Sequence, residues 1–571
     1  MNSIPRSEHP KPQFQRDSWM NLNGLWAFEI DNGRSGKARG LSAADAQLSG
    51  QILVPFCPQS ELSGVNHKDF LSGVWYRRTF ELTKEQLSGR VALHFGAVDY
   101  RCEAFVNGVS VGTHTGGYVS FCFDVTGAVH EGENVVTVYA EDDERDPLIP
   151  RGKQSELFYS HGCDYTRTTG IWQTVWLENM PDAYLRRIKC RPSVENQSVF
   201  VEAVCENADG RTLRAAAKFG GKVVGTAETR VSGKSATLEV KLDELHLWNV
   251  GDGKLYDLDF ELEGGDFVHS YFGMRKVEWK NNRTYINGKV VYQRLILDQG
   301  FYPDGIYTAP TEDELIADIK RSMDMGFNGA RLHQKVFEPL FLYHCDRLGY
   351  IVWGEHANWG LNIARPEAWR GFLPEWREVL ERDYNHPAII GWCPLNETQK
   401  DQDRDLIREL ADMTRSFDPD RIYIDASGWT HQDAVSDIFD VHDYDQNPET
   451  FRARYLPLEQ GETITVFNLG KHVGRPPFVS EFGGIWWNPA HPEGGWGYGN
   501  RPQSEEEFIA RYRGLVTALL ENRAISAFCY TQLTDVEQEV NGLYTYDRHP
   551  KFPPEVIRAI NTQVAAVEKE Q

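Results

Sequence analysis

The chain has 571 residues, of which 41% are hydrophobic, 12% aromatic and 25% charged, with a formal charge of −23 at pH 7. That length exceeds what one core organises and calls for roughly three or four domains, and the apolar content excludes a disordered chain. The acidic balance speaks against a nucleic-acid-binding surface, and no run reaches the ~18 apolar residues of a membrane span.

Residues 1–10 hold no apolar segment of the secretory type, and the nine cysteines are dispersed with no Cys-x-x-Cys pair. The reading is a bacterial-type cytoplasmic enzyme with reduced thiols, no disulfide framework and no zinc site. The sequons at Asn196, Asn282 and Asn396 read as unused.

Residues 1–180 read as all-β, with alternating runs at Val74–Phe80, Val91–Phe95 and Asn134–Tyr139. Short strands at such spacing predict a sandwich. Ala104–Gly112 reads as a hairpin, because Asn107-Gly108 tolerates positive φ at both central positions of a type I′ turn. The Gly-x-Ser-x-Gly match at Gly108–Gly112 is therefore no hydrolase elbow, which needs a strand entering a helix. Residues 181–275 form a second all-β stretch of immunoglobulin-like size, with strands at Val199–Val204 and Ala236–Leu242. It carries no visible chemistry and reads as a spacer.

From residue 276 to 571 helices alternate with short strands. Thr311-Glu312-Asp313-Glu314 and Ser504-Glu505-Glu506-Glu507 each open a helix in capping-box style, the first carrying Leu315, Ile316, Ile319 and Met323 and stopping near Gly326. Eight strands are predicted at 290–298, 328–333, 350–354, 388–394, 421–426, 437–444, 477–481 and 524–531. Several are continuous apolar runs such as Ala388–Trp392, as parallel strands buried on both faces require, and the alternation predicts a (β/α)8 barrel. The helix between strands five and six is the least distinct.

Active sites of such barrels lie at the C-terminal strand ends. Those ends offer Asp298 and Gln299, Arg331 and His333, Glu355 and His356, Asn396 and Glu397, His442, Asp443 and Tyr444, Glu481, and Gln532 and Asp535. Carboxylates on strands four and seven face each other. Gly495–Gly499 follows no strand and opens no helix, so a nucleotide reading fails. Opposed carboxylates, abundant tryptophan and no cofactor motif point to glycoside hydrolysis, which needs one protonated acid and one carboxylate. Trp353, Trp359, Trp392, Trp429, Trp486, Trp487 and Trp496 lie on barrel strands or just beyond, as sugar platforms or as core.

At this point the chain resembles glycoside hydrolase family 2. Trp19–Phe28 resembles its N-terminal opening, and Gly170–Glu178 the end of its jelly-roll sugar-binding domain. Asn385-His386-Pro387 through Asn396-Glu397 resembles the acid/base motif, and Pro477–Gly483 the nucleophile motif. The resemblance implies a jelly-roll β-sandwich, an immunoglobulin-like β-sandwich and a catalytic TIM barrel. It also implies Glu397 as acid/base and Glu481 as nucleophile of a retaining exo-glycosidase. Asn396 then contacts the sugar 2-hydroxyl, Arg331 and Tyr444 orient the nucleophile, and His333, His442 and Asp298 contact substrate, with Trp392, Trp486 and Gln532 as further contacts.

The two carboxyl groups are expected ~5–5.5 Å apart. The chain departs from the family in strand eight, which lacks a tryptophan, in strand one, which lacks a histidine-rich run, and in having no evident Asn-x-Lys uronate element after strand seven. A β-galactosidase-like activity leads, with β-glucuronidase, β-mannosidase and furanosidase as alternatives and a non-catalytic carbohydrate-binding protein as the rival class. No cofactor or metal is expected. The partner is a carbohydrate, with no nucleic acid or membrane, and a homo-oligomer is left open.

Overall fold

The structure is a computed structural model that describes residues 4–432, 435–462, 464, 475–491 and 494–569. The first sandwich packs a four-stranded antiparallel sheet (Trp19–Asn21, Arg90–Phe95, Phe121–Asp124, Val175–Met180) on a six-stranded one that includes Val74–Leu82 and Gly132–Glu141. In the expected hairpin, Arg101–Val106 returns as Val109–Thr115 with φ of +51° at Asn107 and +81° at Gly108. Ser110 therefore lies in a strand, where its hydroxyl donates to Glu103 at 3.1 Å. The second sandwich pairs a three-stranded sheet (Tyr184–Ser193, Ser198–Glu206, Ser235–Lys241) with a four-stranded one. Ser235–Lys241 alternates exposed and buried at every residue, the period-2 pattern of a half-buried strand.

The barrel strands are β1 (Gln293–Asp298), β2 (Gly329–Leu332), β3 (Ile351–Glu355), β4 (Ile389–Cys393), β5 (Ile422–Tyr423), β6 (Phe439–Asp443), β7 (Pro477–Gly483) and β8 (Ala527–Thr531). They run parallel in the order β5-β4-β3-β2-β1-β8-β7-β6. Every residue of β1, β4 and β8 is buried, which is why these runs lack polar alternation. Helices α1 (Glu312–Asp324), α2 (Pro339–Leu348), α3 (Trp369–Asp383), α4 (Arg404–Phe417), α5 (Pro448–Glu459), α6 (Glu505–Leu520) and α7 (Pro554–Asn561) surround them. Thr311 and Ser504 cap α1 and α6, each accepting from the backbone N–H three residues on.

Two features differ from expectation. Strand one starts later, because residues 277–291 form an antiparallel meander (Val277–Lys280, Arg283–Ile286, Lys289–Val291) turned at Asn287-Gly288. The meander covers the N-terminal end of the barrel, where Trp279 meets Trp353 edge-on at 6.0 Å and Thr284 accepts from Gln293. Strand five is only two residues long, since Asp425 leaves the sheet to hold His431 at 2.7 Å. Among the described residues no helix and no ladder join β5 to β6. The Asp437 backbone N–H bridges that seam to the Tyr423 carbonyl at 2.8 Å.

The domains are locked together by buried polar groups. Arg16 reaches Glu178 of the first sandwich at 3.1 Å and Asp266 of the second at 2.8 Å. Asp346 at the end of α2 receives the Tyr271 hydroxyl at 2.8 Å and faces His386 at 2.6 Å. Asn385 accepts from the Cys190 backbone at 2.8 Å and donates to Ile188 at 3.1 Å. The Asn-His-Pro segment ahead of β4 thus docks the second sandwich onto the barrel. The cysteines are all free thiols.

Gly349 ends α2 at φ +67°, and a β-carbon there would lie 2.5 Å from the Asn249 carbonyl oxygen of the second sandwich. Gly220 has a similar φ of +57° with open space around it. Gly349→Ala should lower the unfolding midpoint well beyond Gly220→Ala, which costs only the ~1–2 kcal/mol of left-handed strain. Equal losses in denaturant melts would show that the interdomain contact is slack.

Candidate active site

The strand ends assemble one connected network around a buried guanidinium. Arg331, at the end of β2, is fully buried and donates from Nε to Glu355 at 2.6 Å, from Nη1 to Glu481 at 3.1 Å and from Nη2 to the Asn396 side-chain oxygen at 3.1 Å. Its Nη1 also donates to the Ser480 carbonyl at 2.9 Å. The Tyr444 hydroxyl donates to the other oxygen of Glu481 at 2.5 Å, and its ring stacks on Tyr498 with centroids 3.4 Å apart. Burial works against ionisation of Glu481, but the charge of His442 and Arg331 overrides it and holds the carboxyl down at about 2.

His442 sits between the two carboxylates. Its Nδ1 lies 2.7 Å from Glu397, and its Nε2 lies 3.0 Å from the Ser427 hydroxyl and 3.4 Å from Glu481. Burial opposes its charge, yet Glu481 and Glu397 leave its pKa raised. His333 is the reverse case. It lies 3.0 Å from Glu355, and burial together with the charge of Lys153 drives its pKa well below the ordinary histidine value, so it is neutral.

Glu397 adopts φ +50°, a left-handed conformation that costs a residue with a β-carbon ~1–2 kcal/mol. Backbone bonds on both sides hold it there. Its own N–H donates to Ser427 at 2.8 Å, and Asn358 clamps the Asn396 backbone with bonds of 2.8 and 3.1 Å. One oxygen of Glu397, one of Glu481 and a ring nitrogen of His442 all lie within 4.8 Å of one another.

These groups line a cavity of about 1090 Å³. Of the residues expected from sequence, Glu397, Glu481, His333, His442 and Tyr444 are on its wall. Arg331 and Asn396 stand behind Glu481. The Asn396 amide nitrogen is buried without a partner.

The structure does not bring the remaining four to the wall. Trp392 is sealed in the core, donating to Asp418 at 2.8 Å, and a side chain with no exposed surface cannot stack on a sugar. Asp298 turns back to accept from the Gly300 backbone at 2.9 Å. Gln532 is fully buried and donates to Asn541 at 2.9 Å. Trp486 packs under the 494–499 loop, where a β-carbon on Gly497 would lie 2.6 Å from its own. Among the tryptophans, Trp359 and Trp429 face the cavity and Trp353 is core.

Sequence reasoning placed Glu355 at a strand end without a role, although it anchors both Arg331 and His333. It gave no signal for Lys153 and Cys163, which reach the cavity from the first sandwich, or for Glu539, which follows β8. Two clusters have the donor density for a cation among the described residues, Glu397-His442-Glu481 and Glu156-His161-Asp164. Neither suits one well, because Arg331 already sits on Glu481 at 3.1 Å and Arg151 on Glu156 and Asp164 at 3.0 and 2.5 Å.

Two β-sandwiches and a parallel barrel with paired carboxylates at its mouth define the class. Profiles of glycosyl hydrolases family 2 match its sugar binding domain over residues 19–181, a second domain over 183–275 and its TIM barrel domain over 277–484. The chain belongs to glycosyl hydrolase family 2.

It is 24% identical to a β-glucuronidase of Paenibacillus borealis over 96% of this chain and 98% of that protein. It is 26% identical to a β-galactosidase of Thermoanaerobacter pseudethanolicus over 67% of this chain and 52% of that protein. The chain thus spans about half the length of some curated relatives. Its fold superposes on a Ruminococcus gnavus β-glucuronidase solved with D-glucuronic acid, with a TM-score of 0.81, 18% identity and coverage of 98% of this chain and 100% of that one.

Because the Glu481 carboxyl is held near 2 in the folded state, it contributes stability above its unfolded value near 4.5 and loses it as pH falls toward 2. The stability advantage of wild type over Glu481→Gln should therefore shrink by on the order of 3 kcal/mol between pH 4.5 and 2. A gap that stays constant in denaturant titrations would mean that Arg331 and His442 do not depress this group.

Proposed function

We propose that the protein is a retaining exo-glycoside hydrolase that removes a terminal sugar by double displacement. The Glu397–Glu481 spacing carries this reading. One oxygen of each carboxylate lies within 4.8 Å of the other, a close approach that supports direct attack on an anomeric carbon, for which ~5–5.5 Å between carboxyl groups is usual, over the ~6.5–9.5 Å arrangement that admits a water.

In the first step the ionised Glu481 forms a bond to the anomeric carbon. The glycosidic bond breaks, and its oxygen takes a proton from Glu397. In the second, water gives a proton to Glu397 and its oxygen displaces Glu481. Arg331 and Tyr444 keep Glu481 ionised and aimed through their bonds of 3.1 and 2.5 Å. His442 stands beside the acid, with its Nδ1 2.7 Å from Glu397. The partnerless Asn396 amide is suited to donate to a sugar hydroxyl as the oxocarbenium ion forms.

Our reading of the sugar is a galactoside or a similar terminal residue. A glucuronide is the second reading, and the name of the Paenibacillus relative, matched nearly end to end, favours it. A panel of chromogenic β-galactosides, β-glucuronides, β-mannosides and furanosides separates these readings. Turnover of none would instead support a carbohydrate-binding protein.

The two carboxylates should respond differently to removal. Glu397→Ala should lose ~10²-fold or more on substrates with poor leaving groups and much less on activated aryl glycosides, with added azide restoring turnover and retained configuration. Glu481→Ala should give only inverted glycosyl azide. The opposite pairing of azide products would reverse the two roles.

The pH profile of the rate should be bell-shaped. Glu481 stays ionised down to about pH 2–3, since its pKa is about 2, so an acid limb set by it lies far below neutrality. An acid limb that moves upward in Tyr444→Phe would confirm that the phenol holds the charge, and one that stays in place would remove Tyr444 from that task.

A further inference from the structure

Lys153 reaches the cavity from the first sandwich and is only 5% exposed, and its ammonium has no hydrogen-bond or ion-pair partner among the described residues. Its ammonium lies 5.3 Å from the Trp359 ring centroid and 5.9 Å from that of Tyr165. Burial opposes the charge, but Glu539 first, then Cys163, Glu481 and Glu397, lifts the pKa above the ordinary lysine value. The Lys153 ammonium therefore faces the cavity with donors that no described side chain takes up, free to donate to an acceptor placed there.

Glu539 lines the same cavity at 1% exposure. One of its oxygens accepts from Asn541 at 3.0 Å and the other from the Tyr165 hydroxyl. Each carboxylate oxygen has a second lone pair, so Glu539 retains acceptor capacity. The Tyr165 N–H in turn donates to the Lys153 carbonyl at 2.7 Å. Lys153, Tyr165 and Glu539 thus form one unit across the joint between the first sandwich and the barrel.

We propose that Lys153 and Glu539 together read hydroxyl groups of a neutral terminal sugar, and that the site discriminates against uronides. This rests on the glycosidase reading above and names its substrate class. Charge decides between the classes. A hydroxyl accepts from an ammonium and donates to a carboxylate at once, without adding charge. A sugar carboxylate would gain Lys153 but meet the fields of Glu539 and of the ionised Glu481. A cation built for a uronate has no use for a second carboxylate on the same wall, and Glu539 lines the cavity beside Lys153.

The test uses the full chain and measures binding by calorimetry, which needs no turnover. The probes are three neutral lactones (galactono-, glucono- and mannono-1,4-lactone) and one anionic lactone, glucaro-1,4-lactone. The best neutral lactone should bind at least tenfold tighter than the anionic one. Lys153→Met and Glu539→Gln should each weaken it by tenfold or more, and Lys153→Arg should keep part of the affinity. Melting curves on the same samples separate lost binding from lost folding, and if Lys153→Met does not fold, Lys153→Arg and Glu539→Gln carry the comparison.

Tighter binding of the anionic lactone, with that preference abolished in Lys153→Met, would make Lys153 a carboxylate reader and overturn the proposal. Unchanged neutral-lactone binding in folded variants would also overturn it. Failure of the glycosidase reading looks different, as the lactones would bind as expected while wild type and Glu481→Ala turn over no glycoside.

Discussion

The arrangement depends on one buried cation. The Arg331 guanidinium has no access to water and satisfies its donors on Glu355, Glu481, Asn396 and the Ser480 carbonyl, groups that come from β3, β7 and the end of β4. A charge in that position is tolerated only when its partners are fixed around it, and removing one partner of a buried pair typically costs ~3–5 kcal/mol. The planar fork of arginine therefore does two things at once. It pins three strand ends of the barrel to each other, and it sets the ionisation of the carboxylate nearest the cavity.

The outer layers hold this centre in place. His333 and Arg331 share Glu355, Asn358 fixes the backbone of Asn396, and Ser427 holds Glu397 in its left-handed conformation. Oriented in this way, the groups need no rearrangement to meet developing charge, which is the condition under which buried dipoles and ions act most strongly. The sandwiches are part of the same construction. The second is docked through Asp346 of α2 and through Asn385 directly ahead of β4, and the first sends Lys153 into the cavity wall and the Tyr165 hydroxyl onto Glu539.

The two carboxylates also differ in a way their residue type cannot explain. Glu481 is enclosed by a guanidinium, a phenol and a histidine, whereas Glu397 has one histidine contact and a side chain 13% exposed. Unlike surroundings for like groups are how one site can give two carboxylates separate roles. The spacer reading of the second sandwich needs enlarging, because its strand Tyr184–Ser193 is what Asn385 grips.

Much of this was legible in the chain. Unbroken apolar runs marked the barrel strands, because a strand buried on both faces cannot alternate. Asn107-Gly108 marked its hairpin, because few dipeptides accept two positive φ values. Glu397 and Glu481 were legible from their place at strand ends within longer motifs.

What sequence could not decide was which polar or aromatic residue faces the cavity. Trp392 and Trp429 look alike in sequence, yet one is sealed against Asp418 and the other is 46% exposed at the mouth. Asp298 stands at a strand end as Glu355 does, but it turns back on the Gly300 backbone while Glu355 meets Arg331. Lys153 and Glu539 lie 386 residues apart in the chain, and no local pattern announces that they share a wall. Local periodicity fixes which face of an element is buried. Only the packing of whole domains determines which buried groups meet, because that depends on where distant segments arrive together.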